Sequence, residues 1–448
     1  MTQEEFYQYL NTHEIKAPHI VFDQEQYDRD VRDGLISIPR NINNKPYLPS
    51  ELKAVHGASD LNVVPSADKK KVVIAITIIH NWPADYIQNC FNAFCTVYGF
   101  AQREIEVINL APLGSLGNPS VATAEQASVN QGLIDGLSDY ISEHGSNLSD
   151  VDPNDRDSIK LINNYNYTSE SVEGDNKLGW LGEMILNFWA IAMNPNAHFR
   201  IINCVTATDT ELANSIIYAS TDSNFTNNTH GTTDYVNMSW GDTTPGLDRS
   251  SLDDLIFINP RICYFGAAGN NRWAGYPATS SNVMCVGGAS LLYSNEGNPL
   301  LSLWVGADNA DTDTTKQSPG SGTGFSHSTF NPPQAYSIPA YQTGLTSLAS
   351  YSKRACPDMC SLADPSTGLT VFFTNSDGTK LMHKIMGGTS MASPLLAGLF
   401  SHLSQRLINE NKLPLTTRLN DVGSSTLLNS VNLQTFLYTK YIENAASM

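Results

Sequence analysis

Charge is scarce in this chain. Asp, Glu, Lys and Arg make up 16% of its 448 residues, against about a quarter in ordinary domains, so much of the polar surface must be built from Asn, Ser and Thr. Positive charge is scarcer still: 26 basic against 44 acidic side chains give a formal net charge of −18. That balance repels phosphate backbones and anionic lipid surfaces and argues against nucleic acid as a partner. Long apolar runs are missing, since no segment approaches the roughly 20 apolar residues of a spanning helix. The opening MTQEEFYQYL carries acid where a signal peptide carries base. A soluble chain with no membrane partner is expected, in a compartment that the sequence leaves unknown. Seven cysteines (Cys90, Cys95, Cys204, Cys263, Cys285, Cys356 and Cys360) are too few and too scattered for a disulfide framework. Cys356 and Cys360 have no second Cys or His pair at ligand spacing, so buried thiols are expected rather than a metal site.

What is present is an alternation of strand and helix. Val72–Ile79 is an unbroken, largely β-branched run, as a strand buried on both faces of a parallel sheet requires. A helical stretch from Pro83 to about Tyr98 follows, with Tyr86, Cys90, Phe94 and Val97 on one face, and then a strand over Ile105–Leu110. Further on, helices are predicted around Leu181–Met193, Thr210–Ala219 and Leu252–Ile258, and strands at Phe199–Val205, Tyr235–Ser239, Ile262–Ala267 and Val283–Val286. A long amphipathic helix starts at Ser390. This spacing implies right-handed βαβ units, an α/β fold with a parallel sheet and helices on both faces. Residues 1–47 lack periodicity and read as an arm that wraps the surface of one large domain, 48–448. Within that domain, residues of about 145–177 and 308–339 are polar or rich in Gly, Ser, Thr and Pro, and read as loop insertions.

Chemistry concentrates in Gly387-Gly388-Thr389-Ser390-Met391-Ala392-Ser393-Pro394. A serine approached through glycines at a helix N-terminus is accessible to substrate, and the backbone N–H groups and helix dipole favour an oxyanion beside it. Pro394 falls in the first turn, where a missing N–H costs least. Gly-Thr-Ser alone would pass for a helix cap; the eight-residue string makes Ser390 a nucleophile candidate.

Gly-Thr-Ser-Met-Ala-x-Pro resembles the nucleophile motif of subtilisin-like serine peptidases, and other segments are similar in order to the sedolisin (serine-carboxyl peptidase) branch. These are Leu48–Gly57, Ser239-Trp240-Gly241, Tyr276–Ala278, Val286–Ala289, Gly324–Ser326, Pro357-Asp358 and Ala363–Gly368, so that the resemblance covers about residues 48–436. It implies a subtilisin-like architecture and a polypeptide substrate paired along Ser239, Trp240 and Gly241 by strand addition. It also implies Glu183 as the general base on Gly182-Glu183-Met184-Ile185-Leu186-Asn187. His230-Gly231-Thr232 matches the His-Gly-Thr of subtilisins, but it stands only nine residues before Ser239 in an Asn/Thr-rich loop and reads as a chance tripeptide.

Three positions depart from the sedolisin pattern. Asn187 stands where the family has an Asp, Asn270 where it has the oxyanion Asp, and Ile78 falls near the place of an outer Glu. An amide donates at every pH, so Asn270 together with the N–H of Ser390 suits an oxyanion hole that works without acid. Asn187 is expected to orient Glu183 by donating to its carboxylate, which would lower the pKa of that group. With two carboxyls replaced, a pH optimum less acidic than the family's is expected, and Ser390 Oγ should lie within hydrogen-bond reach of the Glu183 carboxylate, or close to it with a water between. A prosegment and the family's calcium loop with its Asp ligands are not found in these residues, so no cofactor is expected. Two readings stand: a serine endopeptidase acting through Ser390, and a peptidase-like protein weakened or inactive in turnover, with a binding or structural role such as in a larger particle.

Overall fold

The computed structural model describes residues 47, 49–79, 82–110, 177–204, 209–304, 320–327, 335–374, 381–411 and 430–445, with short breaks at 226, 242–247, 249, 251–252, 295–298, 346–347, 349 and 365–366, together with 20–21 and 36–37. In chain order the strands begin with β1 (Ile20–Val21), β2 (Ile36–Ser37), β3 (Val73–Ile79), β4 (Glu106–Asn109), β5 (His198–Cys204), β6 (Tyr235–Met238), β7 (Cys263–Ala267) and β8 (Asn271–Trp273). They continue with β9 (Val283–Ser294), β10 (Pro299–Leu303), β11 (Gly320–Phe325), β12 (Ala355–Cys356), β13 (Met359–Leu362), β14 (Leu369–Thr374) and β15 (Leu381–Met386). The helices are α1 (Pro49–Val55), α2 (Ala84–Tyr98), α3 (Lys177–Leu186), α4 (Trp189–Met193), α5 (Asp209–Ser220), α6 (Asp253–Ile256), α7 (Thr389–Asn409) and α8 (Ser430–Ala445).

The main sheet runs β1-β10-β9-β7-β6-β3-β5-β4, with β2 and β13 also paired to β9. From β9 to β4 every pairing along this path is parallel, and the antiparallel additions are β10 and β2 against β9. β3 sits between β5 and β6, and all seven of its residues are buried, which is what its apolar run demands. Ile74, Ile76 and Ile78 enter one core with residues of α2, α4 and α7, whereas Ala75 and Ile79 enter the other with Leu212, Ile216 and Ala219 of α5. Helices therefore cover both faces.

The chain lays β4 and β5 on one side of β3, then crosses to place β6 and β7 on the other. Where the winding direction reverses, the connections leave in opposite directions and open a crevice at the carboxyl ends of the strands. Ser239 follows β6 and Asn270 follows β7, so both stand at that edge.

Four features differ from the sequence reading. The helix expected over Leu181–Met193 is two helices, α3 and α4, broken at Asn187 and Phe188; Asn187 Nδ2 donates to the Glu183 carbonyl at 2.8 Å, competing for a helical acceptor. Inside the stretch 308–339, expected as a loop, β11 joins β8 and β12 in a three-stranded sheet. Its glycines are needed there, because a Cβ on Gly322 would stand 2.2 Å from the Ala268 oxygen. The hairpin β14–β15 and the helix α8 were not anticipated. Of residues 1–47, β1 pairs with β10 and β2 with β9. Residues 145–176 lie outside those described, and Lys177 opens α3.

Candidate active site

α7 begins at Thr389 after Gly388, whose φ of 114° and ψ of 158° belong to a region open essentially to glycine. That turn brings the helix head beside the loop after β7. Thr389 N–H donates to Asn270 Oδ1 at 2.8 Å, Thr389 Oγ1 donates to the same oxygen at 3.1 Å, and Gly269 N–H donates to Thr389 Oγ1 at 2.9 Å. A backbone N–H can only donate, so it fixes which end of the Asn270 amide is oxygen and turns Nδ2 outward as a donor. A Cβ on Gly388 would lie 3.1 Å from that Nδ2. The Ser390 N–H, one of the first-turn donors a helix leaves unpaired, has no partner among the described residues. The two groups assigned to an oxyanion hole are thus both uncommitted donors flanking the same turn.

Ser390 itself is part-buried, and its Oγ donates to the Ser239 carbonyl at 2.6 Å while Ser239 Oγ donates to the Ser390 carbonyl at 3.1 Å. Beneath it lies a buried amide and hydroxyl network. Ser393 Oγ donates to Asn237 Oδ1 at 2.6 Å, and Asn237 Nδ2 donates to Asn187 Oδ1 at 2.7 Å and to Ser239 Oγ at 2.9 Å. Ser239 Oγ also lies 3.0 Å from Asn187 Oδ1. Asn187, Asn237 and Ser393 are fully enclosed. Every contact here is satisfied, which is the condition for a buried polar network to rigidify a site rather than weaken it.

Two expectations about the base need correction. The Asn187 amide does not donate to the Glu183 carboxylate: its Nδ2 is on the Glu183 main-chain carbonyl and its oxygen accepts from Asn237 Nδ2, while the single Ser239 hydroxyl proton is shared between that oxygen and the Ser390 carbonyl. The Glu183 carboxyl is not held low either. Glu183 is part-buried as a residue, but its Oε1 is enclosed without a hydrogen-bond partner, and burial pushes its pKa well above the usual Glu value. The Ser390 hydroxyl donates to Ser239 and makes no hydrogen bond to Glu183. The link between them runs through α3: Glu183 lies one turn before Asn187, and Asn187 reaches Ser239.

Trp240 is anchored by its indole N–H to Thr77 Oγ1 at 2.9 Å and to the Thr77 carbonyl at 3.2 Å. The exposed Gly241 follows, and a Cβ there would sit 2.8 Å from the Tyr276 oxygen. Among the described residues neither Trp240 nor Gly241 makes a main-chain hydrogen bond. Ile78 is a core residue, so no carboxylate stands at that place on β3. His230 precedes β6, at the opposite end of the strand from Ser239, and its ring stacks on His198 with centroids 3.6 Å apart. His198 and Arg200 both donate to Glu106 Oε2, so this corner is a structural ion cluster. All seven cysteines are buried and unpaired, as expected. Sequence reasoning missed Asn237, Ser393 and the positioning role of Thr389. Thr389 stands in the motif itself, but nothing in the sequence singles out Asn237.

The subtilase family profile matches residues 192–431, more than half of the chain, and the chain belongs to that family. The match covers Ser239–Gly241, Asn270 and Ser390, and begins after Glu183 and Asn187. Among solved structures, the chain is similar to a Pseudomonas sedolisin (serine-carboxyl proteinase) complexed with two molecules of pseudo-iodotyrostatin. The identity is 15%, with 90% of this chain and 98% of that one covered and a TM-score of 0.48. It is also similar to a psychrophilic protease at 14% identity, covering 81% and 87% with a TM-score of 0.37. A cold adapted subtilisin-like serine proteinase shows 12% identity over 82% and 91% of the two chains, with a TM-score of 0.32. No curated protein matches. Among the described residues no helix is long and apolar enough to cross a membrane.

Proposed function

We propose that the chain is a serine endopeptidase of the sedolisin type, hydrolysing peptide bonds in a polypeptide through Ser390. The observation that carries this is the head of α7. Ser390 follows a glycine turn, with its own N–H and the Thr389-oriented Asn270 Nδ2 left free to receive a carbonyl oxygen. Substrate backbone pairs with the open main-chain groups at Trp240 and Gly241. Ser390 Oγ leaves the Ser239 carbonyl to attack the scissile carbon and passes its proton to Glu183, which must be ionised to take it. Burial makes Glu183 a stronger base but delays its ionisation, so turnover rises with pH through a pKa above the ordinary carboxylate range. The less acidic optimum stays, for a reason different from the replaced carboxyls.

The weakened or inactive reading, with a binding or structural role, is favoured by one observation: the Ser390 hydroxyl is committed to a carbonyl rather than to a base. Labelling with a serine-directed phosphonate at pH 5 to 9 separates the two. Stoichiometric modification of Ser390, absent in Ser390→Ala and strongly slowed in Glu183→Gln, is the expected outcome. An unlabelled, folded wild-type chain across that range sinks the peptidase reading.

A further inference from the structure

Gly182 stands inside α3, where glycine is a poor helix former and almost any other residue would hold the helix better. Its bare backbone is filled from outside: a Cβ at Gly182 would overlap the methyl carbon of Met386 and stand 3.5 Å from its sulfur. Met386 ends β15, is buried, and pairs in register with the fully buried Leu369 of β14. It belongs to the same apolar core as Met184, Ile185 and Leu186 of α3 and Ile78 of β3. An unbranched thioether reaches across to a neighbouring backbone where a branched side chain would not.

This contact joins the two ends of the candidate site. From Met386 the chain passes through Gly387 and Gly388, whose N–H donates to the Ala363 carbonyl, to Thr389, held by Asn270 and Gly269, and then to Ser390. Four residues therefore separate the seat on α3 from Ser390, at most about 14 Å of extended chain. Beside Gly182, Glu183 keeps its Oε1 enclosed with no hydrogen-bond partner. The elements packed most closely on α3 are β3, β14 and α7. β3 and β14 carry no titratable side chain. On α7, His402 is engaged with the Met193 carbonyl and Arg406 with Asp60 and Glu410. Among the described side chains, the titratable group that feels the Glu183 charge is the Cys204 thiol at the end of β5, which also feels Glu211 of α5.

We infer that Met386 is a positioning residue for the Glu183 carboxyl: seated on Gly182, it fixes α3 against the strand that leads to Ser390 and keeps the apolar packing around that carboxyl closed. The place of this contact in a reaction rests on the reading of Glu183 as base, but its effect on the protonation of Glu183 is measurable without turnover. Burial is what raises the Glu183 pKa. Loosening the packing admits water, favours the carboxylate and lowers the pH at which it ionises.

The test uses the full chain and two readouts from pH 4 to 9. One is the rate of Ser390 labelling by a biotinylated fluorophosphonate. The other is the gap in melting temperature between each chain and the same chain carrying Glu183→Gln, which follows the titration of Glu183 alone. Met386→Ala is expected to lower the pH midpoint of labelling by about one unit, a tenfold change in the ionisation constant, to slow labelling at the plateau, and to narrow the gap at pH 8. Met386→Leu, of similar volume, should stay near the wild type in both. Adding Gly182→Ala to Met386→Ala returns a carbon to the vacated place and should restore most of the midpoint and the gap, which a general loss of stability would not do. Met386→Val is a milder truncation suited to a strand, and reads the same shift should Met386→Ala unfold the chain. A folded truncation with the wild-type midpoint and gap overturns the inference, as does a double variant no closer to the wild type than Met386→Ala. Absent labelling in every chain, together with a gap that narrows in Met386→Ala and reopens in the double variant, would remove the peptidase reading and keep the contact.

Discussion

At the scale of single residues, the burial of the Glu183 carboxyl has a consequence for stability. Its pKa is raised in the folded chain by burial, from an ordinary value of about 4.3. The protonated carboxyl is thus the form the fold prefers. The stability it contributes is fully present below that ordinary value and is lost as pH rises through the raised one. Glu183→Gln keeps the shape and removes the charge, so its melting temperature should equal that of the wild type near pH 4 and exceed it increasingly towards pH 8. A wild type that stays equally stable at both ends would mean that the carboxyl is solvated or paired. Turnover should fall in the same variant, which separates its chemical from its structural effect. The place of Ser390 at a helix head was legible because the paired glycines before it and the proline in the next turn read as a helix start behind a glycine turn. The partners of Asn187 were not: spacing of four residues places it on the same helix face as Glu183, but the amide's acceptors and donors come from Glu183 main chain, Asn237 and Ser239, the last two about fifty positions downstream.

At the scale of elements, α7 and α4 meet backbone to backbone. A Cβ on Gly398 would fall 2.2 Å from the Ala190 carbonyl oxygen and 2.8 Å from its Cα. On an exposed helix Gly→Ala stabilises by about 1 kcal/mol, whereas forcing an atom into a filled contact costs about 1–3 kcal/mol. The contact here is with main chain, which cannot rotate away, so the second effect wins. Gly398→Ala should lower the denaturant midpoint, and Gly398→Val should lower it further; a rise on Gly398→Ala would show that the helices can part at no cost. Long elements were legible for plain reasons. β3, β5 and α7 carry sustained apolar periods that local sequence can reveal. β8 and β11 were hidden because a three-residue strand carries no period, and because the glycines of β11 answer to the closeness of Ala268 rather than to strand propensity. The break between α3 and α4 was hidden because the surrounding residues stay apolar through it.

At the scale of the whole molecule, one buried ion pair joins parts far apart in sequence. Arg354 and Asp358 are both fully enclosed, with Arg354 Nη2 2.7 Å from Asp358 Oδ2. Asp358 also accepts from Cys285 N–H at 2.8 Å on β9 and from Gln434 Nε2 at 2.8 Å and Tyr438 Oη at 2.9 Å on α8. The guanidinium in turn donates to the Ser280 and Val283 carbonyls. Breaking such a pair from one side leaves a buried charge and costs about 3–5 kcal/mol, whereas replacing both partners by apolar groups of similar volume costs far less. Asp358→Ala should therefore destabilise the chain severely in urea, and the double variant Arg354→Met with Asp358→Leu should recover part of the loss. A double variant worse than the single would show that the hydrogen bonds to α8, not the charge balance, hold this region. Pro357-Asp358 was visible as part of the family resemblance, but α8 as the partner of Asp358 was not.

The wide sequence separation of the parts around Ser390 bears on how the molecule is made. Asn270 and Thr389 are 119 positions apart, and Ser239 and Ser390 are 151. A chain that emerges from the ribosome in order completes β3, β6 and β7 long before α7 exists. Contacts at such range form late because the intervening loop must close first. The growing polypeptide therefore lacks the assembled surroundings of Ser390 during its own synthesis, and they come together only in a chain that has finished folding.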